Sequence, residues 1–225
     1  MTHYFANNSM LFRHLAHEAS FIAFGFIVLF GAVSGAHAQS PAYNVHAIST
    51  IGTAVTEHGA DNYGHAYESS LIGVSATYDG STFTFAPADA ANAWTDTTIT
   101  LPAGTYTKLN MLGTAVGGNK LAQTFTVTYN DNTTSTFTLS LHDWMSHGSF
   151  PGESVVVTMA SRLGTAGVEE PTTCFVRGYT FTLNGKPVQS ITLPATRQVI
   201  ALGFTTGDSP PATDVTTVSG KVRVP

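Results

Sequence analysis

Side chains suited to ligand recognition are concentrated in residues 58–67, which read HGADNYGHAY. A sugar presents C–H faces that stack on aromatic rings, and its hydroxyl groups need carboxylates or amides as hydrogen-bond partners. The loop offers both kinds of group at Asp61, Asn62, Tyr63 and His65. The sequence therefore predicts that these residues bind a ligand, with Tyr63 and His65 as the surface residues.

A second polar loop, residues 143–150 (DWMSHGSF), also combines aromatic and histidine side chains. We include His147 among the predicted ligand-binding residues. Trp144 ends a strand-like run, and a tryptophan in that position is more often buried than exposed. We therefore expect Trp144 in the core and not in the ligand site.

The histidines after residue 38 lack the spacing of a transition-metal site, because none forms an H-x-H or H-E-x-x-H pair. They are His46, His58, His65, His142 and His147. Calcium is a different case, since its oxygen ligands can come from separate loops and leave no local pattern. A structural calcium held by Asp61, Glu68 or Glu153 together with backbone carbonyls therefore stays open.

Two patterns could indicate a small secreted hydrolase, and neither is complete. Residues 207–209 (GDS) resemble the nucleophile block of GDS(L) esterases, but two prolines follow at once and no Asp-x-x-His pair accompanies the block. Glycoside hydrolysis needs two carboxylates facing one cleft. The sequence does not show two acidic residues converging; the candidates are Asp61, Asp143, Glu153, Glu169 and Glu170. We expect no catalytic residues.

Composition excludes nucleic acid and anionic membranes as partners, and it excludes an internal disulfide and a thiolate zinc site. Charged residues make up 10% of the chain and the net charge is −5, so no basic surface is expected for nucleic acid or an anionic membrane. Cys174 is the only cysteine, which excludes an internal disulfide and a thiolate zinc site. It lies in an apolar run, where a buried and unreactive thiol is expected.

Residues 1–38 have the pattern of a signal peptide. An apolar run at residues 21–33 is preceded by Arg13 and followed by Ala-His-Ala, which is typical of a cleavage site. The run is shorter than the ~20 residues of a membrane span, although an uncleaved anchor is the alternative. We expect export to the periplasm, cell surface or medium, with no membrane span after cleavage. Translation could begin at Met1 or at Met10.

Residues 123–144 give the clearest structural signal. Apolar residues occupy every second position of residues 125–129 and again of residues 137–141, and Asn-Asp-Asn at 130–132 separates the two runs. Successive side chains of a strand point to opposite faces, so each run has one core face. The pattern predicts an antiparallel hairpin of a β-sandwich.

The remainder of the chain also has a β pattern, with recurring turn signals and no amphipathic helical stretch. We predict one all-β antiparallel sandwich over residues 39–206 and a flexible C-terminal tail over residues 207–225. Further strands are expected at residues 43–51, 81–85, 97–101, 106–116, 154–162, 174–183, 188–193 and 198–204.

Several sequence blocks occur in an order found in a known family. They include D-x-x-G-x-x-Y at 61–67, I-x-L-P-x-G-x-Y at 99–106, L-x-x-A-V-x-G-N at 112–119, Q-x-F-x-V-x-Y-x-D at 123–131 and M-A-x-R at 159–162. Over about residues 43–206 the chain resembles bacterial secreted galactose-binding-like β-sandwich modules, which are carbohydrate-binding-module-like. The resemblance implies an antiparallel jelly roll, a carbohydrate ligand and, as in some relatives, a structural calcium.

Together these features predict an exported, non-catalytic binding module for extracellular or cell-envelope carbohydrate. Two alternatives stay open. One is a structural or adhesive surface protein that binds other proteins, and the other is a small secreted hydrolase.

Overall fold

The computed structural model describes residues 41–207, so the predicted signal peptide and the tail after Gly207 lie outside the described residues. Gly207, which the sequence placed in the tail, ends the last strand. The elements are β1 Ile48–Ser49, β2 Tyr67–Glu68, α1 Ser69–Ile72, β3 Ser75–Tyr78, β4 Ser81–Thr84, β5 Thr98–Thr105, β6 Lys108–Ala115, β7 Lys120–Tyr129, β8 Thr134–Leu141, β9 Glu153–Met159, β10 Arg162–Leu163, β11 Glu169–Glu170, β12 Cys174–Thr182, β13 Pro187–Thr192 and β14 Val199–Gly207.

The longer strands form two 4-stranded sheets. The first sheet has the order β14-β6-β12-β9 and the second the order β5-β13-β7-β8. Neighbouring strands are antiparallel throughout both sheets. This arrangement confirms the predicted all-β sandwich. Between residues 41 and 207, no helix has the length and apolar character needed to cross a membrane.

Apolar faces of the strands fill the space between the two sheets. On β7, Phe125, Val127 and Tyr129 are fully buried, whereas Thr124 is exposed. Phe125 meets Phe181 of β12 across the sheets, with ring centroids 5.3 Å apart. The alternating sequence pattern therefore predicted both the hairpin and its core face.

The return strand of the hairpin is less buried than its pattern suggests. Phe137 also packs on Phe181, at a centroid distance of 5.3 Å, but Phe137 and Leu139 are only partly buried. The reason is the position of β8 at the edge of the second sheet, where it has a neighbouring strand on one side only.

The first sheet is also covered on its outer face. β6 and β12 are buried along almost their whole length, as expected for strands that pack on both sides. The cover consists of residues 45–94 together with the loop after β8. It places Tyr67 edge-on to Trp144, with ring centroids 5.1 Å apart, over a cluster that includes Leu112 of the sheet. The prediction that Trp144 is a core residue is confirmed.

In this cover, side chains make hydrogen bonds to the backbone that a neighbouring strand would make in a sheet. Asn92 Oδ1 accepts the backbone N–H groups of Ala47 and Ile48 at 2.8 and 3.0 Å, and Asn92 Nδ2 donates to the Ile48 carbonyl at 2.7 Å. The strand predicted at residues 43–51 is therefore reduced to β1. The predicted strand at residues 154–162 is divided between β9 and β10, and β3 and α1 were not predicted.

We expect Phe125→Ala to lower the free energy of unfolding by about 3 to 5 kcal/mol, because it removes a fully buried ring from the interface between the sheets. The matched control is Thr124→Ala on the same strand, which should change that energy by less than about 1 kcal/mol because its side chain is exposed. Urea unfolding followed by circular dichroism measures both. Equal losses in the two variants would contradict the assigned faces.

Candidate functional site

The loop at residues 57–66, which we call the Tyr63 loop, is held in shape by its own aspartate. Asp61 Oδ1 accepts the backbone N–H groups of Tyr63 and His65 at 2.9 and 3.2 Å. Asn62 and Gly64 have left-handed backbone conformations, with φ of 70° and 88°. Asparagine and glycine are the residue types that adopt this conformation at least cost. The local sequence thus encodes a tight turn around a carboxylate.

A distant arginine fixes the beginning of the same turn. Arg197, which lies between β13 and β14, donates to the carbonyl groups of Gly59 at 2.5 Å and Ala60 at 2.9 Å. Burial lowers the pKa of Arg197, and the negative charge of Asp61 opposes this effect. The Tyr63 loop is therefore tied to the connection between β13 and β14 by a charge-assisted link.

The turn holds Tyr63 out in solvent. Tyr63 is 75% exposed and Asn62 is also exposed, whereas Asp61 is buried beneath them. The structure therefore places an aromatic ring and an amide at the tip of a loop whose backbone is fixed from below. Tyr63 is a surface residue, as the sequence predicted; its binding of a ligand stays a prediction.

Four charged or titratable side chains meet beside this tip, and we call them the charged cluster: Asp61, His65, Arg162 and Glu170. His65 Nδ1 lies 2.7 Å from Asp61 Oδ2, and His65 Nε2 lies 3.5 Å from Glu170 Oε2. Arg162 donates to Glu170 Oε2 from Nε at 3.0 Å and from Nη2 at 2.9 Å. Arg162 Nη1 is 3.9 Å from Asp61 Oδ2. His65 and Arg162 thus each face both carboxylates.

The register of two short strands assembles this cluster. Arg162 of β10 stands opposite Glu170 of β11, and a bridge between Ala66 and Leu163 joins the end of the Tyr63 loop to β10. Sequence reasoning did not assign Arg162 or Glu170 to the ligand site. Their only sequence signals were the M-A-x-R block and a pair of adjacent glutamates.

Arg162 also links the Tyr63 loop to the second predicted loop. Its guanidinium carbon lies 5.7 Å from the centre of the Trp144 ring, and Nη1 lies 3.2 Å from Met145 Sδ. A guanidinium above an indole face is a favourable cation–π contact. Arg162 is therefore the residue at which the two loops meet.

His147 occupies a different part of the second loop from Met145. Its ring packs edge-on against Phe175, with centroids 5.1 Å apart, and the residue is exposed. Arg177 Nη2 fixes the loop by donating to the carbonyl groups of Ser146 at 2.6 Å and Gly148 at 3.0 Å. The structure connects His147 to the charged cluster through the loop backbone and not through a direct side-chain contact.

Glu153 anchors both ends of the second loop from within the core. Its carboxylate accepts the hydroxyl of Tyr179, the backbone N–H groups of His142 and Phe150, and His142 Nδ1 at 2.7 Å. Arg177 Nε lies 3.3 Å away. Burial by itself would raise the pKa of Glu153, but the hydrogen bonds, led by that of Tyr179, lower it below its ordinary value.

The three carboxylates named as candidate calcium ligands belong to separate hydrogen-bond networks. Glu68 caps α1 by accepting the N–H groups of Ser70 and Leu71, Asp61 holds the Tyr63 loop, and Glu153 holds the second loop. Among residues 41–207, no three His, Cys, Asp or Glu side chains are arranged to hold a metal ion. The structure therefore does not bring the three carboxylates together, and a calcium held by one of them with backbone carbonyls stays a prediction.

Cys174 is buried, and burial raises the pKa of its thiol to about 12. Its Sγ donates to the Thr172 carbonyl at 3.3 Å. A thiol in this setting is almost entirely protonated at neutral pH, so the nucleophilic thiolate is scarce. The structure thus agrees with the expectation of an unreactive core cysteine.

Two packed antiparallel sheets define a β-sandwich domain. Residues 40–209 match the AziU2-like beta-sandwich domain family, and the chain belongs to this family. No curated protein matches the chain.

We expect Glu153→Gln to lower the free energy of unfolding at pH 7 by about 3 kcal/mol, because the amide cannot accept every hydrogen bond that the buried carboxylate receives. The lowered pKa of Glu153 means that its stabilisation is present above its ordinary value near 4.5 and is lost as pH falls through the folded-state value. The difference between variant and wild type should therefore narrow in acid.

Thermal unfolding by calorimetry between pH 7 and pH 3 measures this difference. Glu57→Gln serves as the control, because Glu57 is exposed and its removal should cost less than about 0.5 kcal/mol. A stability gap that stays constant over this pH range would contradict the role assigned to Glu153.

Proposed function

We propose that this domain is an exported, non-catalytic binding module for extracellular or cell-envelope carbohydrate, with Tyr63 and Asn62 as the contact residues above the charged cluster. The observation that carries the proposal is the 75% exposure of Tyr63 on a loop fixed by Asp61. An exposed ring offers a stacking face for the C–H groups of a sugar. Asn62 adds an amide that can both donate to and accept from hydroxyl groups.

The rigidity of the Tyr63 loop supports binding. Association costs free energy when flexible loops must be ordered, so a loop that is already fixed loses less on binding. Asp61 fixes the tip of this loop and Arg197 fixes its beginning. The ring of Tyr63 is therefore presented without an ordering step in the backbone.

The arginines near the Tyr63 loop are already hydrogen-bonded within the chain, which favours neutral sugars over acidic ones as ligands. Arg162 donates to Glu170, and Arg197 donates to two backbone carbonyl groups, so both guanidinium groups are engaged within the chain. Glu170 is 40% exposed and adds an acceptor for hydroxyl groups. A net charge of −5 also repels uronic acids and sulfated glycans. We therefore propose a neutral, hydroxyl-rich glycan as the ligand.

The same geometry supports a role without catalysis. His65 Nε2 faces Glu170 instead of a serine or cysteine, and the Ser161 hydroxyl donates to Glu169. A nucleophile needs a base within hydrogen-bond reach, and His65 makes no such pair in this arrangement. The proposal includes a galactose-binding-like jelly-roll topology, which rests on the resemblance of the ordered sequence blocks. It also includes export, which rests on the pattern of residues 1–38.

Tyr63→Ala should weaken binding to a neutral polysaccharide about tenfold, which corresponds to the loss of one stacked ring. Affinity gel electrophoresis on a panel of neutral and acidic polysaccharides, each with and without EDTA, measures the effect. Leu121→Ala is the matched control, because Leu121 is an exposed apolar residue of the second sheet and its loss should leave binding unchanged. Absence of retardation by every neutral polysaccharide would contradict the proposal. An equal loss of affinity in both variants would show that the binding site does not include Tyr63.

A second candidate function is a structural or adhesive role through contacts with another protein chain. Leu71 and Val74 are exposed apolar residues, and Val74 and Phe85 line a groove of about 390 Å³ beside α1. Exposed apolar side chains next to a groove are typical of protein contact surfaces.

If a second copy of this chain occupies the groove, sedimentation velocity should show association that increases with concentration. Val74→Asp should then shift the protein to the monomer, because it places a charge in the apolar contact. Ser75→Asp, at an exposed polar position next to it, is the control and should leave association unchanged. A wild-type protein that stays monomeric at all concentrations would contradict this candidate.

A further inference from the structure

A buried histidine lies at the base of the Tyr63 loop. His46 is 0% exposed, and its Nδ1 accepts the backbone N–H of Thr56 at 3.0 Å, with Thr56 Oγ1 at 2.8 Å from the same nitrogen. Because Nδ1 accepts a backbone hydrogen bond, the neutral ring carries its proton on Nε2. Nε2 is buried and has no hydrogen-bond partner among the described residues.

Thr56 connects His46 to the Tyr63 loop. The Thr56 carbonyl accepts the N–H of Gly59 at 3.0 Å, and this bond closes the turn that leads into the loop. The carbonyl groups of Gly59 and Ala60 are the ones that Arg197 binds. A displacement of Thr56 would therefore disturb both the turn closed by the Gly59 N–H and the contact of the loop with Arg197.

We propose that His46 is a proton-sensitive latch for the Tyr63 loop: the neutral ring holds the loop in the conformation described above, and protonation of the ring releases it. The charged form cannot accept the Thr56 N–H, because both ring nitrogens then carry protons. It also places a positive charge at a position without solvent exposure, which is costly. Both effects are relieved when residues 53–60 move away from the ring.

The charged groups that face His46 are Asp89 and Glu57, and both favour the protonated ring. Asp89 Oδ1 is already engaged, since it accepts Ser49 Oγ at 3.0 Å and the Thr50 N–H at 2.7 Å. The Ile48 backbone also favours the protonated ring, but burial outweighs all three and lowers the pKa of His46 below its ordinary value of 6.5.

The direction of the pH effect follows from the difference between the lowered pKa of His46 in the closed loop and its ordinary value. The open loop takes up a proton near the ordinary histidine value of about 6.5, whereas the closed loop resists protonation. The closed conformation is therefore fully stabilised above about pH 6.5 and loses stability as the pH falls towards the lowered pKa of His46.

His65 has different partners from His46, which makes the two histidines distinguishable. Its two ring nitrogens face the carboxylates of Asp61 and Glu170, at 2.7 and 3.5 Å. The Thr56 N–H is bound by His46 and not by His65. Replacing each histidine in turn therefore shows which of them controls the loop.

Amide hydrogen exchange measured by NMR tests the proposal directly, with rates corrected for the intrinsic effect of pH. The protection of the Gly59, Ala60 and Gly64 amides, which donate the hydrogen bonds of the loop, should fall at least about tenfold between pH 7.5 and pH 5. The Val127 amide in the sandwich core should keep its protection. The measurement does not depend on a carbohydrate ligand, so it can fail independently of the proposed binding function.

Three variants assign the effect to one residue. His46→Asn keeps an acceptor near the position of Nδ1 but does not titrate, so protection in the loop should become independent of pH. His65→Asn should keep the loss of protection in acid. His58→Asn is the matched control, because His58 is an exposed histidine of the same loop whose left-handed backbone suits asparagine.

Constant protection in the wild type, or a loss of protection that persists in His46→Asn, would overturn the proposal. If His46→Asn does not fold, the NMR titration of His46 in the wild type decides. A midpoint below that of the exposed His58 supports the latch, and a midpoint equal to or above it overturns the latch.

Discussion

The structure depends on the burial of the first sheet on both of its faces. One face meets the second sheet, where Phe181 packs against Phe125. The other face presents Leu112 and Val176, which would lie in water without the cover formed by residues 45–94 and Trp144. Exposing such side chains costs about 1.5 to 3 kcal/mol each. The segment before the long strands is therefore part of the folding unit, and its path is set by burial more than by strand pairing.

The cover has few long strands, so many of its backbone N–H and C=O groups need hydrogen-bond partners outside a sheet. Polar side chains supply several of these partners. Asn92 binds the backbone at residues 47–48, Asp61 binds the tip of the Tyr63 loop, and Arg197 binds its beginning. Leaving such groups buried without partners would cost about 1 to 3 kcal/mol each. The same bonds hold a surface loop in one conformation, which is the property that a recognition loop needs.

The sequence predicted those features that depend on local periodicity. The hairpin at β7 and β8 was visible because each strand buries alternate residues, and the burial of Trp144 followed from its place at a strand end. Arg162 and Glu170 were missed because the fold brings them to Asp61 from far along the chain, through a bridge that has no sequence signature. The three candidate calcium ligands do not converge, because each carboxylate binds backbone N–H groups instead. Sequence shows that a carboxylate is present, but not whether its lone pairs are already used.

The arginines of residues 41–207 all donate to groups within the chain. Arg162 binds the Glu170 carboxylate, Arg177 binds two carbonyl groups of the second loop, and Arg197 binds two of the Tyr63 loop. A guanidinium group that is engaged in this way has little capacity left for an external anion, since its donors have fixed directions. In the proposed function, the side chains that stabilise the two loops also favour a ligand without negative charge.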